Sequence, residues 1–331
     1  MQYRFTTQAR IKKLAVVTLA SLGFMSAACA ASWPERTVTI VVPFSAGGTT
    51  DIVARLVGDK LGQKWGQSVV VDNKLGAGGN IGTATVAKAR PDGYTILMAS
   101  GSILTVNPHL YKDLPFDIKK DFAPITNVAS GPMVIATSTQ LKAKTLKELI
   151  DMAKKNPKTI NMGSAGLGSQ VHMAGENFSY SAGIDMTHVP YRGEAASYTD
   201  LMAGQIDVVV GNIGAVTPLY ESGRINALAV TSSKRAPMLP NVPTADEAGL
   251  KGFENYGWFG FIAPAGTPNE IIHKIQQDTA DVLAQPDIKK RLADQGMTPI
   301  ANTPEAFAQE IDKESKMWAG VIAERNISIA Q

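Results

Sequence analysis

Apolar positions along this chain follow two alternating rhythms. TVTIVVPF (37–44) is a continuous, β-branched run, the pattern of a parallel strand covered on both faces. The next stretch changes period: Val53, Leu56, Val57 and Leu61 recur on one helical face, and the pattern stops near Gly62. SVVVDN (68–73) returns to strand character, IGTATVAKAR (81–90) to helix ended by Pro91, and YTILMAS (94–100) to strand. This βαβαβ series predicts a doubly wound α/β layer.

A second series follows a long crossing segment, FAPITNVASGPMVIATS (122–138). Thr145 and Glu148 form a capping box that opens a helix ending before Pro157. Strand TINMGS, helix QVHMAGENFSYSA, strand THVPY, helix AASYTDLMAG, strand IDVVVGN and strand INALAVTSS come next. A proline-rich stretch leads back through NYGWFGFIAPAG to two terminal helices, opened at Pro268 and at Thr303-Pro304. The expectation is α/β with two domains joined by two crossings, near 125–135 and 250–262. One lobe is discontinuous, 32–130 plus 253–331, and the other is the insert 131–252.

The N-terminus alters how the composition is read. Arg4, Arg10, Lys12 and Lys13 precede an apolar run from Leu14 to Ala28, and Ala28-Cys29-Ala30 is an A-x-A-like cleavage site, so residues 1–30 are expected to be a signal peptide. The apolar run is short of the ~20 residues of a spanning helix. A lipidated Cys29 ranks below plain cleavage, because Ser26 stands where a lipoprotein box wants a large aliphatic residue. The full chain has 32 basic and 29 acidic side chains and a formal charge of +3. Without the four basic residues of the signal, 28 face 29 and the charge is about −1, which gives no support to a nucleic-acid partner. Cys29 is the only cysteine, so the mature chain has no disulfide, thiol nucleophile or cysteine zinc site. His109, His172, His188 and His273 show no metal-ligand spacing, and no metal or cofactor is expected.

PFSAGGTTDIVAR, VDNKLGAGGNIG, ARPDGYTIL, DFAPITNV, GSAGLGSQVHMA, HVPYRG, AGQIDVVVG, NALAVTSSKRAPMLPNVPTADEAG and WFGFIAPAGTP occur in this order. The ordered set resembles the Bug-type receptors of tripartite tricarboxylate transporters. The resemblance implies a two-lobed periplasmic binding protein that closes on a small carboxylate-bearing solute and presents it to integral-membrane transporter subunits. Where that family often has a glycine pair after PY-(K/R), this chain has Gly193-Glu194.

Ligands of open α/β sheets lie beyond the carboxyl ends of the strands, so the candidate residues are sought there. Phe44, Ser45, Ala46, Gly47, Gly48, Thr49, Thr50 and Asp51 form a strand-to-helix turn with backbone N–H groups and hydroxyls for a carboxylate. Asp51 would repel that anion unless it faces away, the reading favoured here, or takes a ligand amine. Ser164, Ala165, Gly168 and Ser169 repeat the device in the second series, with Ser169 as N-cap. Gly78 and Gly79 either line the same cleft or let a helix pack closely. Their G-x-G-x-x-x-G spacing is one residue off the dinucleotide fingerprint, and Asp92 precedes its strand, so no nucleotide is expected. Ser100, Gly101 and Asn212 end two further strands, and Tyr191, Arg192 and Gly193 another. Arg192 can hold a ligand carboxylate or form a surface ion pair with Glu194 or Asp200. His172 is read as a surface or cleft-lining side chain. Phe44, Tyr191 and the Trp258-Phe259 pair are candidate aromatic walls.

No nucleophile with an orienting base is evident, so no catalysis is expected; the resemblance implies a receptor, and a monomer is expected. The alternatives are a periplasmic serine-type hydrolase using Ser164 or Ser169, and a ligand receptor feeding a sensor kinase.

Overall fold

The computed structural model describes residues 33–324 and 327–328; the expected signal peptide and its cleavage site lie outside them. From Arg36 onward the chain forms one compact unit containing two lobes. Its first part runs β1 (Val38–Val42), α1 (Thr49–Trp65), β2 (Val69–Asn73), α2 (Asn80–Ala87), β3 (Thr95–Ser100) and the short helices α3 (Gly101–Thr105), α4 (Asn107–Leu110) and α5 (Ile118–Asp121). β4 (Phe122–Ser138) leads into α6 (Leu146–Lys155), β5 (Asn161–Ser164), α7 (Gln170–Ala182), β6 (Thr187–Pro190), α8 (Glu194–Ala203), β7 (Val208–Asn212), α9 (Ile213–Glu221) and β8 (Ile225–Val230). The chain ends with β9 (Tyr256–Pro264), α10 (Asn269–Ala284), α11 (Pro286–Ala293), β10 (Thr298–Pro299) and α12 (Pro304–Glu324).

Each lobe is built on a parallel trio with the first strand of the series in the middle. β1 pairs in parallel with β2 and β3, and β5 pairs in parallel with β6 and β7. β3 continues through antiparallel β9 to β4. β4 is shared: Phe122 to Pro132 pairs with β9, and Met133 to Ser138 pairs with β7 and β8. β4 thus changes pairing partners at Pro132-Met133, within the strand, and β9 begins opposite Pro132 at Tyr256. α10 packs on α1, while α12 packs on β4 and α3. The far end of α12 also reaches the second lobe, where Trp318 and Ile322 meet Met173.

Several local features differ from the sequence reading, each for an identifiable reason. α1 continues through Gly62 to Trp65, because the left-handed stop is supplied by Gly66 at φ 64°. Three helices, not two, follow β9, because Pro286 opens α11 directly behind α10. α9 was hidden by Pro218 inside it.

Candidate functional site

The carboxyl ends of the strands converge on a small, half-open cavity of ≈ 30 Å³. Its lining comes from both lobes, and most of it comes from the first residues of helices. Gly48, Thr49 and Thr50 belong to the start of α1, Ser100 is the N-cap of α3, Ser169, Gln170 and Val171 open α7, Glu194 opens α8, and Asn212 is the N-cap of α9. Phe44, Ser45, Ala165 and Phe259 complete the wall. Helix N-termini carry unpaired N–H groups and partial positive charge. At α1 no side chain caps the helix from Gly48, so its first-turn amides have no such partner. Five helices start at this small cavity, and its lining holds no cationic side chain and one carboxylate, that of Glu194.

Asp51 stands behind this wall, not in it. It is buried, and Oδ2 accepts from the Gly47 N–H at 2.9 Å and Arg55 Nε at 3.0 Å, while Oδ1 accepts from Asn73 Nδ2 at 2.9 Å. Arg55 also pairs with it through its guanidinium NH2 at 2.9 Å. Burial alone would raise the Asp51 pKa, but the hydrogen bonds from Arg55, Gly47 and Asn73 and the charge of Arg55 outweigh it and hold the carboxyl below its ordinary value. The carboxylate therefore braces the glycine turn and takes up the Gly47 amide.

The cavity's own carboxylate is Glu194, 7% exposed. Its Oε1 accepts from the Tyr198 hydroxyl at 2.6 Å, the Asn212 backbone N–H at 2.9 Å and Asn212 Nδ2 at 3.1 Å. Oε2 accepts from Asn212 Nδ2 at 3.1 Å and, across the two lobes, from the Thr49 hydroxyl at 3.2 Å. Burial first, then the charge and hydrogen bond of Glu194, push the Tyr198 hydroxyl well above its usual range and keep it a donor. Other bonds also tie the lobes together. Tyr111 donates to the Leu167 carbonyl at 2.8 Å, and the Trp258 N–H donates to Gln170 Oε1 at 3.1 Å.

Of the residues singled out from sequence, the structure brings Phe44, Ser45, Gly48, Thr49, Thr50, Ser100, Ala165, Ser169 and Asn212 to the cavity wall. Ala46 and Gly47 are exposed on the turn. Gly78 and Gly79 are not in the wall. A side chain at Gly78 would strike the Leu167 carbonyl and the Tyr111 hydroxyl, and one at Gly79 would strike Ile103, so these glycines serve close packing. Gly101 lies against the Trp258 ring, where a Cβ would come within 2.7 Å. Gly168 donates its N–H to His172 Nδ1 at 3.1 Å. His172 is 4% exposed and stacks on His188 with ring centroids 3.8 Å apart, so it is neither a surface nor a lining residue. Tyr191 donates to Asp200 Oδ2 at 2.6 Å, and burial with that partner raises its hydroxyl to about 12. Arg192 is exposed and pairs with neither Glu194 nor Asp200: one is inside the cavity and the other is taken by Tyr191. Gly193 sits at φ 145°, and a Cβ there would collide with Ser45 Oγ from the opposite lobe. Gln170, Val171 and Glu194 were missed as wall residues; their position in a helix's first turn after a strand was the available signal.

Ser164 is fully buried, outside the wall, with Oγ 2.6 Å from His188 Nε2. This pair lacks the properties of an activated nucleophile. Ser164 Oγ accepts the Gly166 N–H at 3.1 Å, and burial, with a smaller contribution from His172, pushes His188 down to about 3, far too low for a general base at neutral pH. Its role is to fasten the β5–α7 turn.

The model of the tripartite tricarboxylate transporter receptor family matches residues 53–327. The chain belongs to that family. The receptor is 35% identical over 309 residues to protein BugT of Bordetella pertussis, covering 93% of this chain and 95% of that protein. It is also similar to two solved structures from Rhodopseudomonas palustris. With Rpa4515, described with adipate, it shares 36% identity and a TM-score of 0.86 over 89% of this chain and 99% of that one. With MatC, described with bound malate, the values are 33% and 0.83 over 88% and 100%. Among the described residues no helix is long and apolar enough to cross a membrane.

Proposed function

We propose that this receptor binds a small carboxylate-bearing solute between its lobes and hands it to the membrane subunits of a tripartite tricarboxylate-type transporter. The observation that carries this reading is the convergence of helix N-termini from both lobes on one cavity. Partial charges fixed in the backbone hold an anion without a countercharge that must be desolvated first. The adipate and malate described for the two relatives belong to the same chemical class. The receptor acts as a monomer without catalysing a reaction, and works in the periplasm after its signal is removed near Ala30.

The cavity of ≈ 30 Å³ is about a tenth of the ~300 Å³ at the lower end of ligand pockets, so loading requires the lobes to part. We place the lobes at 32–130 plus 253–331 and at 131–252, turning about Pro132-Met133 and the strand ahead of Tyr256. Titration calorimetry with a panel of short mono-, di- and tricarboxylates, each beside its amide, tests the reading. Saturable binding of at least one acid and loss of binding by its amide is the expected result. Binding of amides as tight as their acids would overturn it.

A further inference from the structure

The cavity presents the solute with one ionisable side chain, and it is acidic. Glu194 lies in the wall together with the α1 and α7 starts. Its partners include the Asn212 backbone N–H and Nδ2, groups that only donate, so the arrangement fits an ionised carboxylate. The two oxygens are not equivalent. Oε1 receives three donors from the second lobe, whereas Oε2 shares one of these and is otherwise met only by Thr49 across the cleft, at 3.2 Å. When the lobes part that last contact is lost, and Oε2 keeps acceptor capacity toward the incoming solute.

We infer that Glu194 is a specificity determinant: its Oε2 receives the ammonium, or an equally strong N–H donor, of a solute whose carboxylate lies against the starts of α1 and α7. The inference rests on the carboxylate-receptor reading above and narrows it to zwitterionic acids. Thr49 links the two ends, because its hydroxyl already bonds Oε2 while its residue begins α1. A solute with two carboxylates and no ammonium would bring a second carboxylate against Glu194 with nothing to offset it, and neighbouring like charges disfavour joint ionisation. An ammonium replaces that repulsion with a charge-assisted hydrogen bond. Asp51 offers no competing acidic site, since Arg55, Gly47 and Asn73 occupy it from behind.

The test uses succinate and aspartate, which share a carbon skeleton and differ by one ammonium, together with 1,4-diaminobutane, in calorimetry at pH 7.5. The wild-type receptor should bind aspartate at least about ten-fold more tightly than succinate, the scale of one charged hydrogen bond. Glu194→Gln, which keeps the side-chain volume, should erase that preference. The wild-type comparison stands whether or not the variant folds. Succinate binding as tightly as aspartate, or a preference that survives in Glu194→Gln, would overturn the inference and leave the carboxylate reading intact. Binding of 1,4-diaminobutane with neither acid bound would overturn the carboxylate reading itself.

Discussion

Acidification should destabilise this receptor through one identifiable side chain, His188. The ring bonds Ser164 Oγ through Nε2 at 2.6 Å and stacks on His172, and burial together with that neighbour lowers its pKa from 6.5 to about 3. Between these two values the unfolded chain takes up a proton that the native chain refuses. The stability contributed by neutral His188 is therefore complete above about pH 6.5 and is lost as pH falls toward 3. Each pH unit inside that window costs about 1.36 kcal/mol. From pH 7 to pH 5 the loss is about 2 kcal/mol, an upper figure because part of the residue still meets solvent. The assay is urea unfolding of wild type and His188→Gln at both pH values. Glutamine retains a group able to bond Ser164 but does not titrate, and the ionisable groups other than the stacked His172 cancel in the comparison. The wild-type advantage should shrink by about 1–2 kcal/mol on going to pH 5. An advantage that is the same at both pH values would show that His188 is protonated in the native state as readily as in the unfolded one, and the burial argument would fail.

Thr49→Ala should weaken solute binding by about 0.5–3 kcal/mol in calorimetry, whereas exposed Arg192→Ala should cost no more than this. Gly193→Ala places a methyl against Ser45 Oγ and forces a residue with a side chain to φ 145°, so small-angle scattering should show the compaction on ligand addition reduced or lost. Asp51→Ala strips partners from the Gly47 amide, Asn73 and Arg55 and should lower stability by about 1–3 kcal/mol in urea unfolding. Mass spectrometry of exported protein should find an N-terminus near Ala31 without a lipid on Cys29.

The parallel series were legible because strand and helix periods alternate cleanly in each, while the orders β2-β1-β3 and β6-β5-β7 are seen only in the fold. The stretch 122–138 was legible as a long segment between the two series, but not as one strand that changes partners midway. That property depends on pairing partners far apart in sequence, Met133 with Asn212 and Pro132 with Tyr256. The glycine turn was legible at Gly47-Gly48, yet the partner of Asp51 was not, because Asn73 reaches it from β2. Glu194 and Arg192 were the least legible. On sequence Arg192 could equally hold a ligand carboxylate or pair with Glu194 or Asp200, and the fold separates it from Glu194 because Gly193 turns the chain between an exposed residue and the first turn of a buried helix.

Two carboxylates stand near this site, and the fold treats them oppositely. Asp51 is neutralised from outside by Arg55 and becomes part of the scaffold, so its charge costs the solute little. Glu194 is satisfied by neutral donors only among its hydrogen-bond partners, so its charge remains a feature the solute must meet. One of those donors, Thr49, comes from the other lobe. In the proposed cycle, closure adds a bond to Glu194 at the same moment that it brings the α1 start toward the α7 start, and opening releases both. A receptor built this way has no permanent counter-cation to hold the solute back when the lobes part. In the proposed function its grip depends on the joint position of helix ends, which the proposed rotation would undo.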